Sequence, residues 1–173
     1  MHASIRVRAL DRIGDREIEG LSDVLIDCVE GGASVSFMLP MTRAKADAFW
    51  RSAAESVARG ERIVLAAEDA NDIVGTVQVM LVQPENQPHR GDIAKMLVRR
   101  RARRQGIGAA LLAAAEHSAL AAGKTLLVLD TASGDAERIY ERGGWQRCGE
   151  IPGYALWPKG GLCATTIFYK ALR

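Results

Sequence analysis

The 173-residue sequence predicts an α/β fold in which seven strands and four helices follow the order β-α-α-β-β-β-α-β-α-β-β. Three observations carry that expectation. A glycine-rich turn, Arg103-Arg104-Gln105-Gly106-Ile107-Gly108, joins a short apolar run (Ile93 to Val98) to a long pattern rich in alanine and leucine. Apolar runs of strand length recur on both sides of that unit. Neither a linker nor an internal repeat divides the chain. The expectation is therefore one domain over residues 1–173, a length that suits one core.

Each element has its own signal. Ile5, Val7 and Ala9 alternate with polar residues and read as a first strand. Ile18, Leu21, Leu25, Ile26 and Val29 fall at helical spacing, and Gly31-Gly32 ends that helix. The link from Ala33 to Met41 is apolar and unsuited to lie free in water. Thr42 is a candidate N-cap for a second helix running to about Gly60. Arg62 to Glu68 and Asp72 to Val82 read as an antiparallel pair turning at Asp69-Ala70-Asn71-Asp72. A polar loop, Gln83 to Pro88, leads to a strand from Asp92 to Val98. The helix after the glycine turn spans Gln105 to about Ala122, with Ile107, Leu111, Leu112, Ala115 and Ala119 on its core face. Thr125 to Asp130 is a continuous apolar strand of the kind buried on both faces. A short helix from about Asp135 to Arg142 ends at Gly143-Gly144. The last strands lie near Gln146–Glu150 and Ala164–Lys170, joined by a turn-rich segment from Gly153 to Gly161.

The glycine turn is also the chemical signal. Gly106 and Gly108 let main chain approach a ligand closely, and the helix N-terminus aims unpaired N–H groups and a partial positive charge at the same point. Arg103 and Arg104 add charge. Such a seat suits a pyrophosphate. The spacing Arg-x-x-Gly-x-Gly is neither the dinucleotide fingerprint nor the Walker loop.

Composition excludes several classes. With 25% charged and 48% hydrophobic residues the chain reads as an ordinary globular protein. A net charge of +2 is too small to imply a nucleic-acid partner. The basic run Arg99, Arg100, Arg101, Arg103 and Arg104 lacks interleaved aromatics, so no nucleic acid is expected there. Cys28, Cys148 and Cys163 show no metal-ligand or redox spacing and read as buried free thiols in a reducing compartment, with no metal. The start, Met1 to Arg6, has no signal-peptide run, and no stretch approaches the ~20 apolar residues that span a bilayer. A cytoplasmic location without a membrane partner is the expectation.

The glycine turn resembles the acyl-CoA loop of the GNAT family of N-acetyltransferases, whose pattern is Arg/Gln-x-x-Gly-x-Gly/Ala. The resemblance continues upstream through Met96-Leu97-Val98. Downstream, Ala136-Glu137-Arg138-Ile139-Tyr140-Glu141-Arg142-Gly143-Gly144-Trp145 is similar to the family's Ala-x-x-Leu-Tyr-Glu-x-x-Gly-Phe segment. The resemblance implies a mixed, mostly antiparallel sheet of about seven strands flanked by about four helices, with acetyl-CoA as co-substrate. It implies that main-chain groups of Met96, Leu97 and Val98 pair with the pantetheine arm. Arg103, Arg104, Gln105, Gly106, Ile107, Gly108 and Ala109 would seat the pyrophosphate. It also makes Tyr140 the proton donor to the departing thiolate, since a phenol of ordinary pKa ~10 is protonated at neutral pH. The other reading of Tyr140 is a core ring packed beside Trp145. Many members carry asparagine seven residues before that tyrosine, where this chain has Ser133.

The acceptor amine must lose a proton, and two carboxylates are candidates to take it. Asp92 begins the strand that carries Met96 to Val98, and Asp130 ends the next apolar strand. If those strands pair and splay as in the family, both carboxylates face the cleft, where their proximity would raise the pKa of one. A strand-end cap (Asp130) and a solvated strand terminus (Asp92) are the alternatives. Gly31 to Met38, Leu129-Asp130-Thr131 and Gly149 to Tyr154 resemble the tabtoxin-resistance branch of the family, which acetylates the amino group of a β-lactam amino-acid toxin. That branch's paired acids fall on Asp92, in place of a glutamate, and Asp130. His89 reads as an exposed loop histidine rather than a base, and His117 has no assigned role. Tyr154 and Trp157 line an acceptor pocket, fold over the core or meet a second copy.

The expected activity is transfer of acetyl from acetyl-CoA to a primary amine of a small, amino-acid-like molecule. Direct attack in a ternary complex is expected because no cysteine occupies a motif position. A peptide or protein amine as acceptor, and a non-catalytic acetyl-CoA sensor, are the alternatives. Monomer and homodimer both remain open.

Overall fold

The computed structural model describes residues 5–132 and 134–173. Among them seven strands form one sheet: β1 (Arg6–Ala9), β2 (Arg62–Glu68), β3 (Ile73–Met80), β4 (Arg90–Val98), β5 (Leu126–Thr131), β6 (Gln146–Leu156) and β7 (Leu162–Ala171). Their order across the sheet is β1-β2-β3-β4-β5-β7-β6. Every neighbouring pair is antiparallel except β4 and β5, which run parallel. The helices are α1 (Asp15–Glu30), α2 (Arg43–Ala58), α3 (Ile107–Ala121) and α4 (Gly134–Arg142). The order of elements and the mostly antiparallel sheet are those the sequence predicts.

Strand alternation sends side chains into two cores, one on each face of the sheet. Leu65, Val77, Val79, Leu127 and Phe168 pack with Leu111 and Ala115 of α3 on one face. Val64 and Ala66 pack with Leu21 and Leu25 of α1 and Trp50 and Ala53 of α2 on the other. Local signals set the helix ends. The Thr42 side chain accepts from Lys45 N at 3.2 Å and caps α2, and Glu17 accepts from Gly14 N at 3.0 Å at the start of α1. Asp69 accepts from Asn71 N and Asp72 N and closes the β2–β3 turn.

One irregularity positions the site. β4 and β5 pair only at Arg90↔Leu126, Gly91↔Leu127 and Asp92↔Val128, then separate. Just past that point Gln78 pairs with Ala94 and Thr76 with Leu97, so Val77 faces both Lys95 and Met96. This is a β-bulge, which bends its strand and increases the local twist, turning β4 away from β5.

Some expectations change. The turn between the last strands narrows to residues 157–161: β6 runs on to Leu156, and Pro152-Gly153 is absorbed by a register shift between Ile151↔Thr165 and Ala155↔Cys163. β5 is not equally buried on both faces; Leu127 and Leu129 are buried while Leu126 and Val128 are half-buried. Helix α3 starts at Ile107 rather than Gln105. Cys148 is exposed, because it lies on the sheet's outermost strand, whereas Cys28 and Cys163 are buried. Residues 1–4 and Ser133, the position where many family members carry asparagine, lie outside the described residues. No helix among the described residues is long and apolar enough to cross a membrane.

Candidate active site

The separation of β4 from β5 opens a cleft of about 1460 Å³. One group of lining residues comes from the glycine turn. Gly106 caps α3 with φ +77, and Arg104 two residues earlier also has positive φ, +61. A side chain at Gly106 would be strained by this backbone, although no atom lies within 4 Å of where its Cβ would stand. Gly108 answers a different need: a Cβ there would come 3.0 Å from Ile139 Cδ1, so glycine lets α3 pack against α4. The first i→i−4 bond of α3 is Ala110 N to Gly106 O at 3.0 Å. The N–H groups of Ile107, Gly108 and Ala109, which line the cleft, thus begin the helix without intrahelical partners.

The basic run divides by partner. Arg100 pairs with Asp27, Arg101 with Asp69 and Asp72, and Arg99 approaches Asp72 at 3.8 Å. Arg103 and Arg104 make no ion pair among the described residues, and both line the cleft. Their charge is available there. Gln105 is exposed and takes no part in the lining.

Met96, Leu97 and Val98 supply the β4 wall. Beyond Asp92 the edge of β4 that would meet β5 has no strand partner among the described residues, so its main chain offers a ladder to an extended ligand. The Val98 carbonyl is an exception. It already accepts from Arg103 Nε at 3.1 Å and from the Cys28 thiol at 3.4 Å. The free edge, the turn with two left-handed residues and the unpaired N–H groups fit an extended arm that ends in a pyrophosphate.

Tyr140 on α4 is both core residue and cleft wall. Its ring lies 5.8 Å from that of Trp145 and 5.6 Å from that of Phe168, and only 4% of the residue is exposed. Its hydroxyl lies 4.0 Å from Met96 Sδ, a weak acceptor. Burial pushes the phenol pKa well above its ordinary value, and the nearby negative charge of Asp130 raises it further. The hydroxyl therefore keeps its proton at neutral pH.

The two carboxylates part company. Asp130, at the end of β5, lines the cleft and accepts from the buried Thr165 hydroxyl at 2.7 Å. Asp92 does not line it. Arg90, two residues earlier and so on the same strand face, ion-pairs with the Asp92 carboxylate, and Gln83 Nε2 donates to it at 3.0 Å. The expected pair of cleft-facing acids is thus corrected to one. Asp92 is held by its own strand and the loop before it.

His89 is exposed on its loop and lies outside the cleft, as does His117. Tyr154 and Trp157 line the cleft from the β6–β7 hairpin. The segment 33–41 also borders it: Ser34 Oγ donates to Leu156 O at 3.1 Å, and Leu39 N donates to Pro158 O at 3.0 Å. Lys95 and Ser36, also in the lining, were not singled out from the sequence. A lone lysine inside the apolar run Ile93 to Val98 was the available signal.

Comparison with known proteins decides the family. The model of the acetyltransferase (GNAT) family matches residues 34–145, more than half of the chain. The chain belongs to the GNAT family. Solved structures share the fold of this GNAT acetyltransferase along nearly its whole length. A ribosomal-protein-alanine N-acetyltransferase from Brucella melitensis is 22% identical with a TM-score of 0.78, covering 96% of this chain and 99% of that one. An N-acetyltransferase from Staphylococcus aureus is 16% identical with a TM-score of 0.82, covering 99% and 100%. A phosphinothricin acetyltransferase from Sinorhizobium meliloti, in complex with acetyl-CoA, is 16% identical with a TM-score of 0.78, covering 99% and 89%. At these identities the likeness concerns the fold.

Proposed function

We propose that this acetyltransferase, acting as one domain over residues 1–173, moves acetyl from acetyl-CoA to the primary amine of a small, amino-acid-like molecule. The observation that carries the reading is the convergence of Asp130 and Tyr140 on the cleft that the glycine turn also lines. When bound, acetyl-CoA supplies the acetyl group as an activated thioester. Arg103, Arg104 and the N–H groups through Ala109 hold its pyrophosphate, and main chain of Met96 and Leu97 aligns the arm along β4. Alignment of this kind lowers a barrier by as much as about 7–11 kcal/mol in the best cases. Asp130 holds the acceptor ammonium and takes its proton, directly or through water. Tyr140 donates from its hydroxyl to the sulfur that leaves.

An amino-acid-like acceptor is supported by the resemblance of Gly31 to Met38 and Gly149 to Tyr154 to the tabtoxin-resistance branch. Release of free CoA thiol, screened against amino-acid-like amines, polyamines, aminoglycosides and peptides, tests the reading. Turnover confined to the first group is expected. Turnover confined to peptides would replace it, and acetyl-CoA binding without turnover on any amine would favour a sensor.

Direct attack needs no cysteine. Cys28 lines the cleft, but its thiol is buried, donates to the Val98 carbonyl and has its pKa pushed up by desolvation, so little reactive thiolate forms. Replacing Cys28, Cys148 and Cys163 together by serine should leave kcat within about threefold, less than the cost of one charged hydrogen bond. Loss of turnover in a triple variant that still binds acetyl-CoA would point to an acyl-enzyme instead.

A further inference from the structure

The cleft holds a lysine that the reaction above does not use. Lys95 stands at the β4 bulge with φ +50, in the left-handed region that residues with side chains seldom occupy. Its Nζ donates to Ser36 Oγ at 3.1 Å and sits 5.8 Å from the centroid of the Phe49 ring. Ser36 is itself left-handed, with φ +77. Two unfavourable backbone conformations, on β4 and on the segment that crosses it, thus bring one hydroxyl and one ammonium together. Such strain persists where the surroundings over-determine it, and bulges commonly re-aim a side chain.

No carboxylate ion-pairs with Lys95 among the described residues, although Asp130 lines the same cleft. An ammonium has three N–H donors, and Ser36 accepts from one. Desolvation lowers the Lys95 pKa, the Arg62 guanidinium lowers it further, and the Asp130 carboxylate acts in the opposite sense. Lys95 therefore reaches the cleft with a hydroxyl and a ring beside it and without an ion-pair partner of its own among the described residues.

We propose that Lys95 receives the carboxylate of the acceptor while Asp130 receives its ammonium, so that the substrate is a small molecule bearing both a primary amine and an acid group. The inference rests on the acetyl-transfer reading and names the residue of that site that selects for the acid group. An amine without the acid leaves Lys95 half-buried without a counter-charge, and a site built around a polar partner discriminates strongly against analogues that lack it. Ser36 and the Phe49 ring hold the ammonium in place between turnovers. The cation–π contact steadies its charge without consuming its hydrogen-bond donors.

The test compares amino acids, each presented beside its carboxamide and its decarboxylated amine, with the wild-type enzyme and with Lys95→Met and Lys95→Arg. The wild type should use the free acids better than the amides by about 10- to 100-fold in kcat/KM. Lys95→Met should erase that preference through acceptor KM, with kcat, the rate on the amides and the KM for acetyl-CoA little changed. Lys95→Arg should retain most of it. Equal use of acid and amide by the wild type would overturn the carboxylate anchor and leave acetyl transfer standing. Absence of turnover with every acid, amide and amine would overturn the small-amine reading and the anchor with it. The wild-type comparison needs no variant to fold.

Discussion

Asp130→Asn should lower kcat by about 100- to 10,000-fold, the usual range for loss of a positioned general base, while the affinity for acetyl-CoA stays near the wild-type value. The substitution keeps shape, and the Thr165 hydroxyl that now donates to Asp130 at 2.7 Å finds an oxygen acceptor in the amide. What disappears is the negative charge that holds the acceptor ammonium and the site that takes its proton. An indirect route through Tyr140 is too weak to explain such a loss. Burial is the larger cause of the raised phenol pKa and Asp130 the smaller, so the hydroxyl remains protonated in the variant. Asp92→Asn serves as the control. Its carboxylate is engaged by Arg90 and Gln83 outside the cleft, and its replacement should change kcat by no more than a few-fold. Steady-state thiol release from acid to alkaline pH makes the measurement. A kcat equal to wild type at every pH in the Asp130 variant would remove it from the reaction.

The contrast between these carboxylates shows what one dimension of sequence carries and what it omits. The glycine turn was legible because its requirements are local: a left-handed cap, a helix start and two arginines lie within a few consecutive residues. The order of seven strands and four helices was legible from helical periodicity and from apolar runs of strand length bounded by turn residues. Where Asp92 points depended on more distant partners. Arg90 shares its strand face by the period of two, but Gln83 reaches it from the preceding loop. Lys95 was hidden for a related reason. A bulge is a mismatch in count between two strands, Thr76 to Gln78 against Leu97 to Ala94, and is not written in β4 alone. The same holds for Gly153, which read as the start of a turn-rich segment and is taken up by a register shift inside the β6–β7 ladder. Ser36 could not be placed from sequence because its role depends on meeting Lys95 across 59 residues of chain.

Tyr140→Phe should reduce kcat less than Asp130→Asn, by about 10- to 100-fold, the worth of one hydrogen bond to a developing charge. The ring keeps its contacts with Trp145 and Phe168, and the hydroxyl gives up only its 4.0 Å approach to Met96 Sδ, so the fold should persist. The sign of the pKa shift limits the effect. A thiol ordinarily titrates near ~8.5 and a phenol near ~10, and burial beside Asp130 moves this phenol higher still. Full transfer of its proton to a departing thiolate is therefore uphill. The hydroxyl acts chiefly by donating a hydrogen bond to sulfur as negative charge grows there. Two consequences separate this role from ring packing. Because a raised pKa keeps the donor protonated to higher pH, the wild-type rate should show no loss near pH ~10 that the phenylalanine variant lacks. The penalty of Tyr140→Phe should also grow with acetyl thioesters of more basic thiols, whose leaving sulfur depends more on the donor. A penalty that stays constant across such thioesters would mean that the tyrosine contributes packing and no hydrogen bond to the reaction.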